Sequence, residues 1–422
     1  MSLAVPDDVS AALRLTAGFD AVLTQGFARL TPAQTSALDE LADAFAGTPL
    51  HARVAEAVRA LAAGEILAHH LAAVAAARAA LEGARADALL AVAAASLGLT
   101  VAPAEVGPAP EPSAEATIRM ESARQWLVEI GLAGLQNLDD ATIVPIVATL
   151  EGLQAMPELG GLSAVLTGFA DELLDHAPTS ALDAVPARRW ADLWCHALLA
   201  TYALPEVPVE RAVRGLWLPI GADVRHHDHL LSVVVHGLLE VDGDKHLVRS
   251  GFAAWKVDAI TGAEIWNLVT PQAPRLFAAL ADDAALEVVG MALCSDGMLR
   301  WDDAACTPAD GALDLAGAVL HAPAPRHRHP LQIAVPVRYR GEAPAPLDLS
   351  RTSPHIGLEA KDLDRGTITG LLRFDEAFSV QPMSAVRGSK RFGPAAGLAA
   401  AAKVKQPVLD VLRERASKLL RK

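Results

Sequence analysis

Five histidines fall within the 22 residues from Arg225 to His246, RHHDHLLSVVVHGLLEVDGDKH, with carboxylates interleaved. Imidazoles and carboxylates at that density are the raw material of a zinc site, which needs three or four ligands converging at ~2.0–2.3 Å. The spacing works against convergence. LLSVVVHGLLEV and DKHLVRSGFAAWKVD read as two β-strands around Asp242-Gly243, a dipeptide suited to a two-residue hairpin turn. That register places Glu240 opposite Lys245 and His246 opposite Leu239. At ~3.3 Å per residue, His229 and His236 lie about 23 Å apart and on opposite faces of an extended strand. What remains as a metal candidate is His226, His227, Asp228 and His229, presented from the entry to a strand. These four match none of the familiar zinc-motif spacings.

A second cluster, Arg326-His327-Arg328-His329, precedes the strand-like PLQIAVPVRYR. Arg326 and Arg328 are candidates for partner contact, and the imidazoles would add positive charge below ~pH 6.5. No phosphate-binding loop, dinucleotide fingerprint or nucleophile elbow occurs. Cys195 and His196 are neighbours on a probable helix, where adjacent side chains diverge by ~100°, so they read as packing rather than as a nucleophile and its base. Of the seven tryptophans, six lie between Trp190 and Trp301. Trp190 and Trp194 form an i, i+4 pair beside Arg188 and Arg189. The belt reads as a packing seam between helical and β parts, with an exposed partner-binding surface at Trp190 and Trp194 as the functional alternative.

These residues must be positioned by elements, and the texture of the chain changes along its length. Residues 1–100 form an alanine-rich helical bundle. In LTPAQTSALDELADAF, Thr31 is placed to cap, Pro32 sits at the first helical position, and Gln34 completes a capping box. Thr48-Pro49 repeats the start signal. EILAHHLAAVAAARAALEGAR and ADALLAVAAASLGL then read as separate helical segments. Residues 101–115, with four prolines, form a linker. A second helical block occupies 116–210. Its first helix spaces Ile118, Ala123, Leu127 and Ile130 along one face. Residues 215–392 carry nine or ten short strands, which implies an antiparallel barrel or sandwich. Residues 393–422 combine an Ala/Gly connector with a basic amphipathic helix from Pro407, whose Arg413, Arg415, Lys418 and Arg421 are further partner-binding candidates.

Composition agrees with an α+β multidomain chain of 422 residues, 52% hydrophobic and 20% charged. The net charge of −14 is unevenly laid out: no lysine precedes Lys245, while the last 36 residues hold ten basic and two acidic groups. An acidic body with a basic end suggests an interaction tail and disfavours a nucleic-acid partner. Three widely spaced cysteines support neither a zinc ribbon nor a disulfide framework. The N-terminus lacks a signal peptide's basic and apolar regions, and no apolar run reaches the ~20 residues of a membrane span. The expectation is a cytoplasmic, non-catalytic adaptor of a bacterial multi-component system. It binds a protein partner through the β-domain and the basic helix and needs no cofactor. The bacterial origin rests on alanine and arginine richness. The rivals are a metal-dependent hydrolase using His226–His229 and a nucleic-acid-binding β-domain.

Overall fold

The computed structural model describes residues 3–226, 230–257, 260–363 and 366–404. The protein is mixed α+β, with helices concentrated in the N-terminal half and sheets in the C-terminal half. It divides into two compact units. One comprises residues 6–85 and 107–207; the other comprises the described residues of 1–5, 86–106 and 208–422. Among the described residues, no helix is long and apolar enough to cross a membrane.

The helical unit is built from α1 (Asp7–Gln25), α2 (Pro32–Asp43), α3 (His51–Ala62), the first part of α4 (Ala68–Leu97), α5 (Ala114–Ala133), α6 (Asp140–Ile143), α7 (Ile146–Gln154), α8 (Gly160–Leu174) and α9 (Ala187–Ala200). Helix α2 starts where its capping box lies. The Gln34 amide donates to Thr31 Oγ1 at 3.3 Å, and the Thr31 amide donates to Gln34 Oε1 at 2.7 Å. Thr48 does not cap in the same way. Its hydroxyl donates back to the Phe45 carbonyl at 2.7 Å, and α3 begins only at His51. The two segments read separately after residue 65 fuse into the 30-residue α4, because a lone Gly83 costs a helix only ~1 kcal/mol. The buried face of α5 also differs from expectation. Ala116, Met120, Ala123, Leu127 and Ile130 turn inward, whereas Ile118 is exposed.

The β-rich unit holds β1 (Thr100–Ala102), β2 (Glu210–His226), β3 (Leu230–Val241), β4 (Asp244–Trp255), β5 (Ala285–Cys294), β6 (Leu299–Arg300), β7 (Cys306–Ala309), β8 (Val319–His321), β9 (Val335–Arg340), β10 (Thr367–Phe374), β11 (Phe378–Arg387) and β12 (Lys390–Phe392). Its helices are α10 (Trp266–Val269), α11 (Pro274–Asp282) and α12 (Pro394–Ala401). One sheet runs β1-β8-β4-β3-β2-β5-β6, with β7 on β5; the other runs β12-β11-β10-β9. Neither order returns to its first strand, so the barrel form of the expectation does not close.

The expected antiparallel pattern also needs correcting, since β8 pairs parallel to both β1 and β4. Parallel neighbours need a long connection rather than a hairpin, and β1 arrives from α4, far away in sequence. The proline-rich stretch after residue 100 therefore contributes a strand and not only a linker. The β3–β4 hairpin keeps the expected register, with Glu240 opposite Lys245 and Leu239 opposite His246. Asp242 and Gly243 both take positive φ, 53° and 94°, as a twisted two-residue turn requires.

Each unit has its own core. Phe19, Leu23, Phe27, Leu127, Phe169, Trp190 and Trp194 lie inside the helical unit. Trp217, Val233, Leu239, Trp266, Phe277 and Val288 lie inside the β-rich unit. Gly397 of α12 rests on the Trp266 ring; a Cβ there would meet its Nε1 at 2.4 Å, which explains the small-residue composition of that helix.

Candidate functional site

The long strands β2, β3 and β4 end together. Trp255 closes β4 opposite Leu230, the first residue of β3, and its side chain is 81% exposed, with Val257 nearby at 47%. Beyond Arg249, β4 has a neighbouring strand only in β3 among the described residues; on its other side the Ala253 carbonyl accepts from Gln272 Nε2 at 3.0 Å. At the end of β2, the His226 ring meets His355 edge-on with centroids 4.2 Å apart. His355 Nδ1 accepts from the Gly262 amide at 2.9 Å, which leaves the ring proton on Nε2. Burial, His226 and Lys256 together press the His355 pKa below the ordinary imidazole value. A large apolar ring, a strand with no neighbouring strand on one side and partly desolvated imidazoles therefore share one end of the sheet. Such a surface can clamp an extended peptide segment.

Of the metal candidates, only His226 can be placed; His227, Asp228 and His229 lie outside the described residues. Among the described residues, no group of three or more His, Cys, Asp or Glu side chains could hold a metal ion.

The other candidates fall elsewhere. Trp190 and Trp194 are fully buried, so the exposed-surface reading is corrected. Trp190 Nε1 donates to Glu172 Oε1 at 2.9 Å and Trp194 Nε1 donates to the Leu127 carbonyl at 2.8 Å. Gly131 makes room for the second ring, since a Cβ there would lie 2.9 Å from it. Arg328 is tied into its own unit by Asp87 at 2.9 Å and by the Pro323 carbonyl at 3.1 Å. Arg326 neighbours His327, whose pKa is lowered by burial and then by that arginine, against the expected gain of charge. Arg413, Arg415, Lys418 and Arg421 lie outside the described residues. The three thiols are buried and burial raises the pKa of each, which suits packing rather than nucleophilic work.

Sequence reasoning missed two polar clusters. In one, Asp223 of β2 binds Arg373 of β10 at 2.6 Å and Gln381 of β11 at 2.9 Å, joining the two sheets. Burial alone would raise the Asp223 pKa, but Arg373, Arg225 and Gln381 hold it below the ordinary carboxylate value. His236 lies close by, fully desolvated, and burial followed by Arg373 presses it down to about 3. In the other, His246 and His321 face each other with Nδ1 and Nε2 3.2 Å apart. The hairpin register located His246, but its partner comes from β8, and nothing local signals that parallel pairing.

Comparison with protein-family models, curated proteins and solved structures returns no match.

Proposed function

We propose that the protein is a non-catalytic adaptor of a bacterial, cytoplasmic multi-component system, with its β-rich unit as the partner-binding module. Trp255 carries this reading. Tryptophan is among the most buried side chains on average, and burying it against a partner recovers a large apolar area, which is why it dominates interface hot spots. Here it stands 81% exposed at the end of a strand that has a neighbouring strand on one side only. Main-chain hydrogen bonds along the other side, with Gln272 giving up the Ala253 carbonyl, would give affinity to an added strand, and the indole would anchor it. In this reading the two sheets are the layers of a sandwich, braced by Asp223 and Arg373, and the basic C-terminal segment makes a second contact with the same partner.

The reading is tested by immobilising the full chain, Trp255→Ala and a chain lacking residues 405–422 in lysate of the native host, with quantitative mass spectrometry. A partner retained by the full chain should fall about 30-fold with Trp255→Ala, the equivalent of a ~2 kcal/mol hot spot. An unchanged set of retained proteins in both variants would remove the reading.

A further inference from the structure

Arg211 of β2, His246 of β4, His321 of β8 and the Ser295 carbonyl in the β5–β6 turn form one line of polar contacts. Arg211 Nη2 lies 3.5 Å from His246 Nε2, His246 Nδ1 lies 3.2 Å from His321 Nε2, and His321 Nδ1 lies 3.1 Å from Ser295 O. The two ends fix every proton between them. A guanidinium only donates, so His246 Nε2 accepts and is bare. A carbonyl only accepts, so His321 Nδ1 carries hydrogen. A neutral imidazole has a single N–H, so the His246 hydrogen sits on Nδ1 and donates to the bare Nε2 of His321. All three contacts are satisfied only when both rings are neutral and both are Nδ1–H tautomers. An added proton on His321 Nε2 would confront the His246 N–H, and one on His246 Nε2 would confront Arg211.

The line fastens a weakly held piece of the sheet. Strand β8 meets β4 only at the pairs His246–Val319 and Leu247–Leu320, and meets β1 at three positions. The turn lies against the same imidazole: Gly297 has φ +83°, and a Cβ there would be 3.0 Å from His321 Cβ. Arg249 holds that turn through the Asp296 carbonyl at 2.6 Å and its carboxylate at 2.7 Å. Around the pair, Arg211 and Arg249 oppose positive charge, while Asp244 at the start of β4 favours it on His246.

We infer that Arg211, His246, His321 and Ser295 form an acid-sensitive latch that holds β8 and the β5–β6 turn against the edge of β4 and opens when either imidazole takes up a proton. Burial, first among the causes, lowers both rings and puts His321 at about 4, so the latch is closed at neutral pH. The test is nitrogen NMR of the full chain labelled at histidine, with resonances assigned through His246→Asn and His321→Gln, together with amide hydrogen exchange. At pH 7.5 both rings should be Nδ1–H tautomers. Between pH 7 and 5, Leu320 exchange should accelerate on the order of tenfold beyond the intrinsic pH trend, as loss of a hydrogen bond or two implies. His321→Gln keeps an acceptor facing His246 but cannot charge, so it should lose the share of that step set by His321 and keep only the share set by His246. An Nε2–H tautomer at either ring overturns the latch, and so does titration near 6.5 with no change at Leu320. The tautomer result needs only the unmutated chain and stands if a variant does not fold.

Discussion

Each unit buries an arginine, and the two solutions differ. Arg78 of α4 in the helical unit is shared by two carboxylates, Asp20 at 2.5 Å and Asp192 at 2.6 Å. Arg373 in the β-rich unit has one carboxylate, Asp223, and a neutral amide, Gln381, whose Oε1 accepts from Arg373 Nε at 2.9 Å. Crowding acid groups around one cation leaves one of them poorly compensated. Burial pushes Asp20 up to about 6 against the pull of Arg78, with Asp192 and Glu82 adding to the rise. The amide at Arg373 accepts a hydrogen bond without competing for the charge, and Arg373 and Arg225 together hold Asp223 below its ordinary value. The lesson concerns stoichiometry: two carboxylates favour the buried cation, since Arg78 is pushed up while burial presses Arg373 down, but an acid that shares its cation with a second acid is left poorly compensated.

The largest effects should come from removing the cations. Arg78→Met and Arg373→Met should each cost about 3–5 kcal/mol at pH 7, read by hydrogen exchange in α4 and β10 respectively, because both leave buried carboxylate charge behind. Lowering the pH to 5 should soften the Arg78→Met loss, since Asp20 then takes a proton readily. Equal losses at both pH values would contradict the raised Asp20.

Neutralising the acids sharpens the contrast. Asp223→Asn should cost about 2–4 kcal/mol by stranding Arg373, whereas Asp20→Asn should cost less than about 1 kcal/mol, because Asp192 still pairs with Arg78. Exchange-derived stabilities in the reverse order would break the comparison.

The units should also respond to acid with opposite sign. Asp20 is more basic folded than unfolded, so the folded helical unit binds the extra proton, and its contribution becomes more favourable as pH falls from about 6 towards 4. His321 and His236 are less basic folded, at about 4 and about 3. Their contribution is complete above the unfolded value near 6.5 and is lost as pH falls towards those values. Exchange followed from pH 7 to 5 should therefore show β3 and β4 loosening while α1 and α4 hold or tighten. Parallel loosening of both units would refute the contrast. The smallest effect belongs to Trp255→Ala, which should leave stability within about 0.5 kcal/mol because the ring is already in water.

Local chemistry was legible in the sequence where a short stretch carries the whole signal. The Thr31–Gln34 capping box and the Asp242-Gly243 turn each determine a boundary or a register within a few residues, and both are realised. Signals needing a distant partner were not. Val319–His321 is too short to declare a parallel strand, so the pairing of His246 with His321 could not be foreseen. Trp190 and Trp194 share a helix face, yet periodicity alone does not say whether that face meets the core or a partner. Ile118 lies on the wrong side of α5 because its first turn packs through Ala116 and Met120. The candidate site was legible only at His226; Trp255 was read as one member of a packing belt, and its exposure depends on where β4 ends.

The most direct test of the partner-binding reading is a photoreactive residue placed at position 255 of the full chain, irradiated in the native host. A matched probe at the exposed Val289, on another strand, serves as control. The account predicts one dominant crosslinked protein at 255 that is absent at 289, captured through an extended peptide segment. No crosslink at 255, or the same diffuse products at both positions, would contradict it.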